Sequence, residues 1–435
     1  MAPNEKLDEL TEFISLARKL GADSSEFFYS EEENLLLSSQ GRDIKTKEFS
    51  VDAGYSVRVL KSGRVGFAPF RKPSDCTRAV KNALALSKLS PVSSFSFASP
   101  QKYRKARTFD SRIASLDEKD GLSMLSSILS GCSKHGSSPL ESYFSRSSGF
   151  VSLANSNGLF ASEKATSLFT TANAGFGTSS GGESFACRSL GKKESERACS
   201  IGEKAALYAK QMSGAGKIPS QLATVAFERD SLLALLSSTL LPSFSGEKAR
   251  RNLSALCNKQ GRQIADSRLS LTDDALAPAL SLTLFDGEGV SSAKLPLIEA
   301  GVFRNFLYDR LNSALAGPQA KGKHGSCGRS GYLSAPSVSG SNLVLSFSGT
   351  ASPDRYLLVR SILGEHTANP TTGDLSFSIE GFSVSGSRST PFRGNLLVAN
   401  IFKLLNGIQG AGKEKQAYFN LISPRLYFND VNIVG

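Results

Sequence analysis

Leu375, Phe377 and Ile379 alternate with Ser376, Ser378 and Glu380, and after Gly381 the apolar positions move to the opposite parity at Phe382 and Val384. Side chains on a strand point alternately to its two faces, so this segment is a strand with one apolar and one polar face whose phase flips partway along. The glycine at the switch predicts a bulge inside the strand, since one extra residue moves every later side chain to the other face. A turn-rich lead-in, residues 364–374, feeds the strand directly.

Around this strand the chain divides into three portions. Leu7, Leu10, Phe13, Ile14, Ala17 and Leu20 share a helical face, and Gly21 stands where a C-terminal cap ends that helix. Tyr55, Val57 and Val59 precede a hairpin turn at Lys61-Ser-Gly-Arg64, after which Val65 and Phe67 resume. Ser74 is placed to cap a helix reaching about Lys88, and the Ser/Pro-rich stretch 90–100 reads as a linker or long surface loop. A second portion holds a helix over 116–132, a strand over 149–154, a turn at Asn155-Ser-Asn-Gly158, strands over 159–175 and a helix over 194–212. From Gln221 short strands dominate, apart from a leucine-rich helix that Asp230 is placed to cap. The expected fold class is α+β: a sandwich-like N-terminal portion of helices on sheets, in subdomains 1–100 and 101–218, followed by a β-rich C-terminal domain, 219–435.

The net charge of +12 raises a nucleic-acid reading, but the basic residues are scattered and form only short clusters at 102–107, 248–251 and 321–329, with no recognisable nucleic-acid module. The charge reads as solvated surface. No run approaches the roughly 18 to 20 apolar residues of a membrane span, and the charged, amphipathic N-terminus is not signal-like, so a cytoplasmic protein is expected. The six cysteines are far apart and lack Cys-x-x-Cys spacing, which fits free thiols in a reducing compartment.

The chain has three histidines, His135, His324 and His366, and none is followed by glutamate, so the usual helical zinc-hydrolase motif is absent. A Gly-x-Ser-x-Gly nucleophile elbow is absent too. Cys327 lies near His324, which leaves a cysteine hydrolase as a divergent reading. The stretches 317–324 and 407–414 approach a P-loop but lack its final Ser or Thr, and both read as flexible loops. Residues 175–181 resemble a dinucleotide loop with the wrong spacing.

Several motifs in a fixed order carry a family resemblance. They are Leu20-Gly-Ala-Asp23, Gly54-Tyr-Ser-Val-Arg-Val59 with Gly66-Phe67, Asn155-Ser-Asn-Gly-Leu-Phe160, Phe285-Asp-Gly-Glu-Gly-Val290, Leu297-Ile-Glu-Ala-Gly-Val302, Phe306-Leu-Tyr-Asp-Arg310, residues 369–382, and Gly394-Asn-Leu396. Through them the chain resembles the TldD/PmbA family over nearly its full length, and specifically the PmbA (TldE) branch. The resemblance implies a two-domain subunit that pairs with a paralogue to make a cytoplasmic metallopeptidase acting on short or unfolded peptides. In the TldD branch a helix bearing His-Glu-x-x-x-His and a cysteine near the C-terminus hold zinc. Here Ser237, Ser238 and Pro242 fall near the helical positions, on a helix expected over 231–241, and Ala411 stands for the cysteine.

A non-catalytic partner subunit is therefore expected, with no cofactor of its own and zinc only in the TldD-like partner. Peptide capture by strand addition is assigned to the 375–379 strand and to the turn at Asp286 and Gly289, with Gly373, Asp374, Ser376 and Ser378 as cavity-lining candidates. The alternative is a homodimer that binds peptides or a client protein without hydrolysis. The loop 316–329 is more basic than the matching family position.

Overall fold

The computed structural model describes residues 3–320 and 325–435. The expected reading of 317–324 as a flexible loop, and His324 with it, falls on or across residues 321–324, outside the described residues.

The N-terminal unit is built on one six-stranded antiparallel sheet. Its strands are β1 (Ser24–Gln40), β2 (Asp43–Lys61), β3 (Arg64–Phe70), β4 (Ser138–Asn155), β5 (Phe160–Phe176) and β6 (Ser179–Cys187), in the order β3-β2-β1-β4-β5-β6. Helices α1 (Pro3–Lys19), α2 (Cys76–Ser87), α3 (Ser111–Ala114), α4 (Glu118–Cys132) and α5 (Lys192–Gln211) accompany it. The odd-numbered residues of β1 supply both cores beneath the helices: Phe27 and Tyr29 pack with α1 and α2, and Leu35 and Leu37 with α4 and α5. Strands β1 and β4 pair from Glu26↔Asn155 to Gln40↔Glu141, so residues on either side of position 100 share one continuous sheet. The segment 91–110 between them has no regular structure, yet Phe95 and Phe97 are buried. Ser74 does not cap α2; it lies in a 3-10 turn, Pro73–Asp75, because Pro73 preorganises a tight turn that hands the chain to the helix one residue later.

The C-terminal unit contains β7 (Gln221–Phe227), α6 (Arg229–Leu235), α7 (Gly246–Arg250), β8 (Leu269–Asp274), β9 (Lys294–Glu299), β10 (Val302–Phe303) and α8 (Arg310–Ala316). It continues with β11 (Cys327–Gly328), β12 (Ser337–Val338), β13 (Leu343–Phe347), β14 (Arg355–Leu363), β15 (Asp374–Ser385), β16 (Arg388–Asn400), α9 (Ile401–Asn406), β17 (Ile408–Tyr418) and β18 (Leu421–Val434). Strands β18, β16, β15, β14 and β7 follow one another, and β7 pairs back onto β18, which closes a barrel. Leu375, Phe377 and Ile379 of β15 enter its core, where burying a side chain such as Phe377 contributes about 1.5–3 kcal/mol. The α+β class and the β-rich C-terminal domain are as expected.

The phase flip in β15 has a different cause from the one expected. The strand itself carries no extra residue; the register shifts place the extra residues in its neighbours, Arg360 on β14 and Gly394 on β16. Phe382 and Val384 point away from the barrel because Tyr208 and Met212, at the end of α5, cover that outer face. Gly381 is required for another reason: a Cβ there would lie 1.9 Å from the Leu358 carbonyl oxygen, next to the bulge. Residues 407–414, read as a flexible loop, lie almost wholly in β17, which pairs with β18. Asp230 does not cap α6 either; it sits in the first turn behind the N-cap residue Glu228.

A buried charge cluster ties the two units. Glu26 and Arg58 are register partners on β1 and β2, on the sheet face opposite the helices. Arg58 donates twice to Glu26, at 2.9 and 3.0 Å, and at 2.7 Å to Glu288 of the C-terminal unit. Arg329 reaches back to Glu26, and the backbone N–H of Arg310 donates to Glu288 at 2.7 Å. Phe95 and Phe97 lie over the Arg58 guanidinium at 5.4 Å each, and Arg329 stacks 4.5 Å above Phe28. Beside this cluster, burial and then the Glu288 charge push the Asp286 carboxyl up to about 8, while burial followed by Glu288 raises Asp309 to about 6.

Asp286 in the unfolded chain ionises near 3.8, so the folded protein holds a proton there that the unfolded chain has lost, and stability falls as pH rises until about 8. Asp309 adds a fall of the same sign that fades as pH rises through about 6. Between these two values, urea unfolding of Asp286→Asn is expected to lose stability less steeply than the parent, by at most about 1.4 kcal/mol per pH unit; equal slopes would refute the assignment. Gly381→Ala is expected to cost about 1–3 kcal/mol in the same assay, through overpacking against β14.

Candidate functional site

The residues expected to replace the zinc ligands do not form a metal site. Helix α6 gives way to a π turn, Leu236–Leu240, and a 3-10 turn, Leu241–Phe244, instead of running on to 241 as one α-helix. Pro242 has no N–H to continue the ladder, and the hydroxyls of Ser238 and Thr239 donate to the Leu235 carbonyl. Ser237 is exposed, and Ala411 is a buried methyl whose backbone is paired with Gly349 and Ala351. Neutral hydroxyls, a proline ring and a methyl group do not fit a zinc ion, which takes imidazole, thiolate or carboxylate. Of the described histidines, His135 sits 3.6 Å from Glu203 and His366 lies exposed in a 3-10 turn after β14. The only three-membered group of ligand-type side chains among the described residues is Asp286, Glu288 and Cys327, within 4.8 Å of one another.

The remaining sequence candidates occupy two separate places. Asp286 and Gly289 form the junction turn: Asp286 accepts from the backbone N–H groups of Glu288 and Val290, both at 2.9 Å, and the Gly289 carbonyl accepts from Tyr103 and Gln101. Gly373, Asp374, Ser376 and Ser378 lie at the start of β15. Asp374 is exposed, and its carboxyl is held below the usual range by hydrogen bonds from Asn400 and Thr372. Strand addition at 375–379 has no edge to use. Strand β16 pairs one side of β15; β14 and the returning lead-in, through Asn369 and Thr367, occupy the other.

A free edge exists elsewhere. Among the described residues, strand β6 ends its sheet and pairs only with β5. It borders a cleft between the two units, with a central cavity of about 630 Å³ continuing into one of about 270 Å³. Consecutive residues 180–189 line these cavities. Since neighbouring side chains on a strand point to opposite faces, an unbroken run along the cleft means that the backbone edge faces it.

Paired charges and aromatic rings span the cleft. Glu183 lies 3.5 Å from Arg229 and 3.4 Å from Arg360; Arg229 sits 5.5 Å from the Tyr418 ring and Arg360 4.6 Å from that of Tyr208. The bulge explains Arg360: as the extra residue of β14 it turns, with Ser361, into the cleft, while Val359 and Ile362 keep to the core. Burial raises the Asp230 carboxyl, and the nearby Arg360 partly offsets this. Burial also disfavours charge on Arg360, but Asp230 and Glu183 more than compensate. None of these residues was a candidate in the sequence, since Glu183, Arg229, Arg360 and Tyr418 come from four distant segments and share no motif.

The fold and site define a class: a two-unit α+β protein with a barrel-containing C-terminal domain and an open interdomain cleft. The description "PmbA/TldA metallopeptidase C-terminal domain" matches residues 220–435, and "PmbA/TldA metallopeptidase domain 1" matches residues 25–87. The chain belongs to the PmbA/TldD family. It is 29% identical to an uncharacterized protein of Methanocaldococcus jannaschii over 97% of its own length and 98% of that protein's. It is 28% identical to a zinc metalloprotease TldD homolog of Saccharolobus solfataricus over 37% of each chain. Its fold matches TldE from Thermococcus kodakarensis with a TM-score of 0.86 at 22% identity, covering 98% of this chain and 100% of that one.

Arg360→Met is expected to destabilise the protein by about 2 kcal/mol, because it leaves Glu183 with Arg229 alone and removes the cation beside the buried Asp230. The double variant Arg360→Met/Glu183→Gln is expected to recover part of that loss. A double-mutant cycle by urea denaturation measures it, and strict additivity would show that the two side chains are not coupled.

Proposed function

We propose that this chain is a zinc-free, non-catalytic subunit that works in the cytoplasm with a zinc-bearing paralogue to process short or unfolded peptides. The observation that carries the reading is the combination of an open cleft bordered by the β6 edge with a family motif region whose side chains do not fit zinc. Without a metal there is no water of lowered pKa to serve as nucleophile, so hydrolysis falls to the partner. What this chain contributes is main-chain hydrogen bonding to an extended peptide, which gives affinity with little dependence on sequence. That role moves from β15, where it was expected, to β6.

The Asp286–Glu288–Cys327 group supports the same reading. Arg58 and the Arg310 N–H already occupy the two oxygens of Glu288, and the buried Arg329 adds positive charge beside them. Burial and then Glu288 and Asp286 push the Cys327 thiol well up, so it is a poor thiolate donor and a poor nucleophile. The group acts as part of the junction.

The test is co-expression with a paralogue bearing His-Glu-x-x-x-His, followed by metal analysis and a peptidase assay on each chain and on the pair. Zinc is expected to follow the paralogue, and cleavage of unfolded peptide to require both chains. Stoichiometric zinc in this chain purified alone overturns the proposal. A peptide-binding homodimer that ignores the paralogue would establish the alternative of a binding protein without hydrolysis.

A further inference from the structure

The smaller cavity, at the C-terminal end of β6, has a charge imbalance that nothing in the fold requires. Five cationic residues line it, Arg107, Arg188, Arg197, Lys204 and Arg229, against two carboxylates, Glu183 and Glu194. Both carboxylates are engaged: Glu183 between Arg229 and Arg360, and Glu194 as acceptor of the Gly191 N–H at the start of α5. Arg107 pairs with Asp110.

Three cations remain. Arg188 is largely buried and gives its Nε–H to the Leu280 carbonyl, Arg197 lies 5.1 Å from the Phe185 ring, and Lys204 stands two turns further along the same face of α5. Among the described residues none of the three has a carboxylate within ion-pair distance. A buried guanidinium carries a desolvation cost that an anion in the adjoining cavity would offset. Arg188 shows this cost, since burial lowers its affinity for the proton, with Glu163 opposing only in part.

We infer that this end of the cleft is a carboxylate subsite, and that Arg188, Arg197 and Lys204 receive the free C-terminus of the bound peptide. The inference rests on the reading of the cleft as a peptide site and adds a direction to it. Strand β6 runs from the 630 Å³ cavity toward the basic one, so a peptide whose carboxylate ends among these cations lies parallel to β6. An acidic side chain offers the same carboxylate, and the test separates the two sources.

Fluorescently labelled extended peptides of one sequence are titrated into the full-length chain in three forms: free acid, C-terminal amide, and amide with glutamate as the last residue. The parent protein is expected to bind the free acid about tenfold more tightly than either amide. In Arg197→Glu/Lys204→Glu, at two exposed α5 positions, that preference is expected to vanish while the amide affinity is kept; near-ultraviolet circular dichroism checks the fold. If the glutamate amide binds as well as the free acid, the site reads a side chain and the C-terminal assignment falls. Equal affinity for acid and plain amide removes the subsite but leaves the cleft reading intact. Failure of all three to bind removes both.

Discussion

The two units are locked together at a buried set of charges, Glu26 and Glu288 against Arg58 and Arg329. Each ion loses several kcal/mol of hydration on leaving water, and such clusters add little net stability compared with an apolar contact. Their value lies in geometry. Arg58 presents its planar fork to a carboxylate on the neighbouring strand and to one on the other unit at once, so a slip of the junction would strand buried charge. An apolar seam would tolerate such slips. The cleft can keep a defined width because its two walls are registered at this point.

Local patterns were readable in the sequence and their tertiary consequences were not. The amphipathic run ending at Gly21, the Ser62-Gly63 hairpin and the helix over 194–212 follow from periodicity and turn chemistry, and the structure places α1, the β2–β3 turn and α5 there. The flip after Gly381 was equally visible, but one strand's alternation cannot say whether an extra residue lies in it or in its neighbours. Of the two bulges, the one at Gly394 carries a glycine with positive φ, whereas the one at Arg360 has no local signature. Ser74 and Asp230 have the chemistry of caps, yet Ser74 lies one residue before the N-cap Asp75 and Asp230 two residues after the N-cap Glu228, the usual error of reading a boundary without hydrogen bonds.

The chemistry followed the same division. The absence of a His-Glu pair is a matter of residue types, and a histidine census reveals it; the cleft is a matter of placement. Its wall brings together β6, the start of α6, the β14 bulge and the end of β17, four segments that meet only through the barrel closure and the junction. The family resemblance implied a peptide substrate, and the strand-addition reading fell on β15, whose readable alternation marks a core strand with both edges occupied.

The open edge of β6 has a consequence for what can approach it. An unpaired strand edge on an outer surface is a template for aggregation, since any other exposed edge can zip onto it. Here the edge is set back between two walls, one lined by Arg229 and Tyr418 and the other by its own sheet and α5. A folded domain brings its strands with a body some 10 Å thick or more on each side, and that body cannot follow them in. A single extended chain can. The recess thus sorts by cross-section, suiting a single extended chain better than the edge of another folded sheet.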